Sequence, residues 1–315
     1  MSPPTYRRAL PQLSDALFLT DSGLETDLIF NGGWELPEFA SFVLLDDRTG
    51  YAAVEQYFLR HLAVAEAFGC GVILEAPTWR ASRHWGDRLG YSAQRLREVN
   101  IAAIDMLVKI RAEHDAGIPI VISGCIGPRD DAYRPAEQIT AEEAQSYHGE
   151  QIETLAASAA DLVHAMTITN VEEAIGITRA AERAELPVAI SFTTEIDGLL
   201  PDGANLSDAI RTVDAATDNG PLYFGINCAY PTHFQNAFPA DDDGGRRIRS
   251  IRANASRKSH AELDESEVLD AGDPKELADL YRDLRAEHPL LTILGGCCGT
   301  DVSHIEAIAL ACLPP

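Results

Sequence analysis

The chain has 315 residues, 46% of them hydrophobic, and its 25 Lys and Arg stand against 49 Asp and Glu for a formal charge of −24 at pH 7. That length supports one large core or two ordinary ones. So acidic a chain repels phosphate backbones and anionic head groups, which excludes nucleic acid and negatively charged membranes as partners unless a strong basic patch exists.

In chain order, residues 1–8 lead into no sustained apolar run, and no later segment offers the ~18 uncharged apolar residues of a membrane span. A cytoplasmic protein is expected, with no membrane partner. Short runs rich in Val, Ile and Leu then recur at 17–20, 71–75, 118–123, 162–167, 188–193, 222–227, 248–252 and 291–294, the seventh being the weakest pattern. Each reads as a strand. Helical spacing is predicted over 51–68, 93–114, 141–157, 171–184, 204–217 and 274–287, and Thr140 with Glu143 has the form of a capping box. The basic stretch Arg246-Arg247-Ile248-Arg249, with Arg252, Arg257 and Lys258, follows Asp241-Asp242-Asp243 and reads as a compensated surface. Residues 237–245 read as an exposed loop.

Strict alternation with near-continuous apolar strands argues a parallel sheet with right-handed crossovers. Eight units fit a closed (β/α)₈ barrel, a TIM barrel spanning residues 1–315 as one domain. An open doubly wound sheet is the competing arrangement, and the absence of an early G-x-G-x-x-G counts against its dinucleotide-binding form.

In such a barrel, chemistry sits where the strands end. Those ends read Asp21-Ser22-Gly23, Glu75-Ala76-Pro77-Thr78, Ser123-Gly124-Cys125, Met166-Thr167, Thr193-Thr194-Glu195, Asn227-Cys228, Asn254 and Gly295-Gly296-Cys297-Cys298-Gly299. Six cysteines are too few for a secreted disulfide scaffold, and the adjacent Cys297 and Cys298 are poorly placed to bridge one another. Strands six and eight lie close around the ring, so Cys228, Cys297 and Cys298 could share one ion, with Gly295, Gly296 and Gly299 freeing the backbone to turn both neighbouring thiols towards it. Three soft thiolates select Zn²⁺ and leave the fourth tetrahedral position open. A thiol entering there loses its proton and becomes a nucleophile, which suits alkyl transfer to sulfur. A non-catalytic zinc or redox-sensing protein is the competing reading, and it requires a fourth protein ligand. Cys70, Cys125 and Cys312 read as small buried hydrophobes. His84, His148, His164, His233 and His304 lack metal-ligand spacing and read as surface or packed residues. Trp79, Trp85, Tyr133, Tyr230 and Phe234 fall near the same rim, where aromatic faces could cage a cationic donor.

These residues resemble the zinc-dependent homocysteine S-methyltransferases, the family that includes the betaine and S-methylmethionine enzymes. The resemblance covers nearly the whole chain. It is carried by Asp21-Ser22-Gly23-Leu24-Glu25-Thr26, Ala81-Ser82, Ile126-Gly127-Pro128, Glu172-Glu173-Ala174, Ile190-Ser191-Phe192-Thr193, Gly225-Ile226-Asn227-Cys228, Asn254-Ala255 and Leu294-Gly295-Gly296-Cys297-Cys298-Gly299-Thr300. It implies a (β/α)₈ barrel with zinc on Cys228, Cys297 and Cys298, which activates homocysteine to accept a methyl group and give methionine. The expected donor is an onium compound such as S-methylmethionine or S-adenosylmethionine, and another thiol or selenol acceptor is the variant reading. Asp21, Ser22 and Gly23 match the segment that helps bind the amino acid. Glu75, Thr78 and Asn227 complete the expected substrate-binding set. Many members carry an acid before Thr at the end of strand four, where it holds the substrate's amino group; here the pair is Met166-Thr167. Glu75 is expected to supply that carboxylate, or else to be a rim acid paired with Arg80 or Arg83.

Overall fold

The computed structural model describes residues 3–114, 117–132, 139–239, 241–266 and 268–313. Its strands are β1 (Phe18–Thr20), β2 (Gly71–Glu75), β3 (Ile120–Ile126), β4 (Leu162–Ile168), β5 (Val188–Phe192), β6 (Phe224–Asn227), β7 (Ile248–Ala253) and β8 (Ile293–Gly296). Every neighbouring pair is parallel, and β8 pairs with β1 through Phe18 opposite Ile293 to close an eight-stranded barrel. The open doubly wound alternative is thereby excluded. The seventh predicted strand, weak in sequence because Arg249 and Arg252 interrupt it, is a full member.

Around the strands run α1 (Arg48–Phe68), α2 (Ala93–Glu113), α3 (Ala141–Ala156), α4 (Val171–Arg183), α5 (Leu206–Ala216), α6 (Pro274–Glu287) and α7 (Val302–Cys312). Helix α1 starts earlier than its apolar spacing predicts because Asp47 caps it, accepting from Thr49 N and Gly50 N. The Thr140–Glu143 capping box forms at the head of α3. Helix α7 is absent from the sequence prediction; Asp301 caps it and Ile305, Ile308 and Ala309 bury one face. Between β6 and β7 the described residues hold a short helix, Pro231–Phe234, and one turn of 3₁₀ helix, Gly245–Arg247. The expected exposed loop at 237–245 is therefore only partly a loop: Phe238 is fully buried and its ring lies 4.3 Å from that of His288. No helix among the described residues is long and apolar enough to cross a membrane.

Side chains alternate between two destinations along each strand. Leu19, Val72, Leu74 and Ile122 belong to the large outer core shared with the helices. Phe18, Ile73, Val121, Leu162, Ala189, Tyr223 and Ile293 form a separate apolar floor inside the barrel, joined by Leu10. Above that floor the interior becomes polar, with Glu75, Ser123, His164, Ser191, Ser250 and Arg252 all buried. Placing Arg252 inside corrects the reading of 246–258 as surface. Strand β4 also slips register between Ala165 and Ile168, and Thr167 there adopts a left-handed φ of 61°. Such bulges re-aim side chains at strand ends.

Candidate active site

The three cysteines expected to share an ion do converge. Their sulfurs lie within 4.8 Å of one another, and Cys228 Sγ is 3.6 Å from Cys298 Sγ. Tetrahedral zinc with Zn–S near ~2.3 Å would set sulfurs about 3.8 Å apart. The donor set and spacing therefore fit such an ion.

The backbone achieves this by means the sequence only partly suggests. Cys228, directly after β6, is itself left-handed, with φ at 60°. Its carbonyl oxygen accepts from His260 Nε2 at 2.7 Å and from Asn254 Nδ2 at 3.0 Å. Thr193 Oγ1 adds a longer bond at 3.4 Å, and together these donors hold a conformation that costs a non-glycine residue of order 1–3 kcal/mol. Of the three flanking glycines, only Gly299 takes a left-handed φ, at 82°. Gly295 is required by crowding instead, since a Cβ there would stand 1.8 Å from Thr20 Oγ1. Gly296 is likewise closed in, by Thr300. Asn227 braces the set, taking Thr167 N at 2.7 Å, giving Nδ2 to Thr167 Oγ1 at 2.8 Å and reaching Cys297 Sγ at 3.8 Å.

Beside the sulfurs lies a buried cation. Arg252 donates from Nη1 to Asp21 Oδ1 at 2.7 Å, from Nη2 to Ser22 O at 3.1 Å and from Nε to Gly296 O at 3.1 Å, joining the ends of β7, β1 and β8. Tyr57 donates to the other Asp21 oxygen at 3.2 Å. Burial pushes the Asp21 carboxyl up to about 6 against the pull of Arg252. The Cys297 thiol is drawn well below its ordinary value, first by hydrogen bonds with Cys228 and Cys298 and further by Arg252, while burial opposes. Ser22 turns its hydroxyl towards α1, meeting His61 Nε2 at 2.9 Å. Arg252, Tyr57, His61, Asn254 and His260 take part here; of these the sequence placed only Asn254 at a strand end, and it read Arg252 as surface. For Arg252 and Asn254 the signal is positional, a polar residue on an inward strand face or just beyond a strand end, whereas Tyr57 and His61 reach the site from α1 and His260 from the segment after β7.

Glu75 pairs with neither Arg80 nor Arg83. Arg80 meets Asp131 at 3.2 Å with its guanidinium 3.6 Å from the Trp85 ring centre, and Arg83 meets Glu150 at 2.6 Å. Glu75 points into the barrel, 2.9 Å from His164 Nδ1, and His164 Nε2 is 2.7 Å from Ser191 Oγ. Thr78 gives its hydroxyl to Cys125 O at 2.8 Å and takes Cys125 N at 3.1 Å, so it ties β2 to β3 rather than lining a cavity. Among the remaining histidines, His148 pairs with buried Glu173, His304 joins the α7 cap, His84 stacks edge-on to Trp85, and His233 lies 3.1 Å from Arg257 O.

Two chambers meet at the cysteines. An inner cavity of about 70 Å³ descends into the barrel past Asp21, Glu75, Cys125, Met166, Arg252 and Cys297. An outer one of about 410 Å³ opens between the loops. Thr26, Phe39, Trp79, Thr167, Cys228 and Cys298 line both. The outer wall offers Phe30, Phe39 and Trp79 with Glu38, Asp131, Asp264 and Asp270, and its one basic residue among those described, Arg80, is engaged with Asp131. The expected aromatic set is thus mostly corrected. Trp79 is on the wall, Trp85 lies beneath Arg80, Tyr230 and Phe234 are buried in the core, and Tyr133 lies outside the described residues. Cys125, expected to be inert packing, also lines the inner cavity, where burial pushes its thiol well up.

Residues 18–312 match the family model described as homocysteine S-methyltransferase. The chain is 24% identical over 178 residues to homocysteine S-methyltransferase 1 of Brassica oleracea var. italica, covering 55% of this chain and 52% of that one. It is 25% identical over 179 residues to homocysteine S-methyltransferase 3 of Arabidopsis thaliana, covering 55% and 49%. The match spans about half the length of these curated relatives. Its fold is similar to the homocysteine methyltransferase MmuM from Escherichia coli, with a TM-score of 0.75 to the metallated form at 20% identity, over 96% of this chain and 98% of that one. The oxidized form of that protein gives a TM-score of 0.77 at 20% identity, over 96% and 99%.

Proposed function

This chain belongs to the homocysteine S-methyltransferase family, and on that premise we propose that it moves a methyl group from an onium donor, S-methylmethionine or S-adenosylmethionine, to the thiol of homocysteine, giving methionine. The observation that carries this reading is the placement of Cys228 and Cys298 on the wall shared by the two chambers. An acceptor sulfur held there from inside faces a donor held from outside, the arrangement a displacement at carbon needs.

Cys228, Cys297 and Cys298 would hold Zn²⁺. When bound, that ion stabilises the acceptor's sulfur as a thiolate at neutral pH. The remaining work falls to the chain's own residues. Arg252 offsets part of the negative charge of the sulfur cluster. Asp21, Ser22, Gly23, Glu75 and Asn227 border the inner cavity and would orient the amino acid. Phe39 and Trp79 offer aromatic faces, and the surrounding carboxylates a negative field, to a sulfonium. The acceptor sulfur supplies the electron pair for the new S–CH₃ bond. The old bond breaks with its pair returning to the donor sulfur, which leaves as a neutral thioether, and the acceptor's proton goes to solvent. No side-chain base is required.

The test is a donor panel with homocysteine, using reduced, zinc-supplied protein, beside Cys298→Ser. Methionine formation that disappears together with zinc in the variant supports the reading. Turnover retained in a zinc-free Cys298→Ser protein overturns it.

A further inference from the structure

We propose that Glu75, braced by His164 and Ser191, selects the acceptor by its ammonium group, so that the inner cavity takes thiols bearing a primary amine and rejects those without one. This rests on the methyl-transfer reading above and assigns a specificity residue within it.

Glu75 is only 3% exposed, yet one of its carboxylate oxygens, Oε2, has no hydrogen-bond partner. The other is 2.9 Å from His164 Nδ1. With a proton on Nδ1 the imidazole donates to Glu75 and its Nε2 meets the Ser191 hydroxyl at 2.7 Å, which satisfies both ring nitrogens and leaves Glu75 Oε2 free for a ligand. The ring is pinned at both ends, so the carboxylate is fixed in direction. A buried carboxylate oxygen without a hydrogen-bond partner is costly. Such a group persists where a ligand completes it.

The charge pattern says what kind of ligand. Arg252 is the one basic residue among those lining the inner cavity, and its donors go to Asp21, Ser22 O and Gly296 O. Both Asp21 oxygens are taken, by Arg252 and Tyr57. Glu25 Oε1 accepts from Ser41 at 2.7 Å. Among the described side chains lining this cavity, the buried oxygen left without a hydrogen bond is Glu75 Oε2, and a small cation with N–H donors answers it. Met166, which lines the same cavity from β4, offers no charge and can only contribute apolar wall. An acceptor whose ammonium sits on Glu75 while its sulfur sits at Cys228, Cys297 and Cys298 is held at both ends.

The experiment compares homocysteine with 4-mercaptobutanoate, the same skeleton without the amine, on zinc-loaded protein. The natural chain should favour homocysteine by at least ~100-fold in kcat/KM, because the analogue leaves Glu75 unpaired. Glu75→Gln should lose ~30-fold or more on homocysteine, chiefly through KM, with the analogue unchanged and zinc content retained. His164→Gln, which removes only the brace, should raise KM for homocysteine less, and Met166→Glu in the Glu75→Gln background should restore discrimination from β4, two strands along the barrel. An unchanged ratio in Glu75→Gln overturns the proposal, as does an equal fall on both thiols, which would mark Glu75 as a proton acceptor. If no donor methylates either thiol, the methyl-transfer reading fails separately. Calorimetric affinities of the two thiols for zinc-loaded natural and Glu75→Gln protein then decide the amine selection, an equal ratio again overturning it.

Discussion

His260 donates from Nε2 to the carbonyl oxygen of Cys228 at 2.7 Å, which makes a residue from beyond β7 the brace for a cysteine at the end of β6. The bond acts on the one cysteine of the trio whose own φ, at 60°, is strained. Groups that orient metal-binding residues in this way typically contribute 10–100-fold to affinity. His260→Ala is therefore expected to weaken zinc binding by about that factor while the barrel stays folded. Competition against a chromophoric chelator measures it; unchanged affinity would show that Asn254 and Thr193, the other donors to that carbonyl, suffice.

The Arg252–Asp21 pair is buried on both sides, with side chains 6% and 3% exposed. Removing one member of such a pair strands the other charge, at about 3–5 kcal/mol. Arg252→Met should lower unfolding free energy by that much, and Arg252→Met with Asp21→Asn should recover a substantial part. Urea unfolding of the three proteins gives the numbers. A double variant no better than the single would mean that Arg252 acts through Ser22 O and Gly296 O rather than through charge.

The barrel was legible because its outward positions follow a rule: a strand buried on the helix side is apolar whatever the inside contains. The inside follows no such rule. Arg252, Glu75 and His164 sit at inward positions of β7, β2 and β4, and their polarity made the seventh strand look like a surface and left Glu75 divided between a substrate carboxylate and a partner of Arg80 or Arg83. The cysteine trio was legible because adjacent thiols between glycines have no packing use. What those glycines do was not, since a demand for φ > 0 and a lack of room for Cβ look the same in one sequence. His260 and Tyr57 were invisible for another reason: each reaches the site from outside the strands, through contacts set by tertiary structure alone.

The crowding at Gly295 yields a compensation test. A methyl there would meet Thr20 Oγ1 at 1.8 Å and the Asp21 carbonyl oxygen at 2.9 Å, in the middle of the β1–β8 seam that closes the barrel. Overpacking in a tight interior costs typically 1–3 kcal/mol, so Gly295→Ala should lose about 2–3 kcal/mol. Thr20→Ala removes the nearest obstacle, and the pair Thr20→Ala with Gly295→Ala should be more stable than Gly295→Ala alone. If the pair is worse than the sum of the singles, the backbone of Asp21 sets the limit.

Glu25 carries the pH dependence of stability that is simplest to isolate. It lines the inner cavity, and burial pushes its carboxyl from 4.5 up to about 7, with the hydrogen bond from Ser41 acting the other way. The folded chain therefore holds this proton more tightly than the unfolded chain does. Between pH 4.5 and about 7 the native state binds more protons, so the contribution is full below 4.5 and is lost as pH rises through 7. Asp21, raised to about 6, works in the same direction over a lower window. Glu25→Gln cannot ionise, and at pH 8 it should be more stable than the natural chain by about 2 kcal/mol, allowing for the partial exposure of the side chain. At pH 4.5 the two should differ only by the altered bond to Ser41. Urea midpoints of reduced, chelator-treated protein at both pH values test this: the fall in stability between them should shrink in the variant, and an equal fall would place the pH dependence on Asp21.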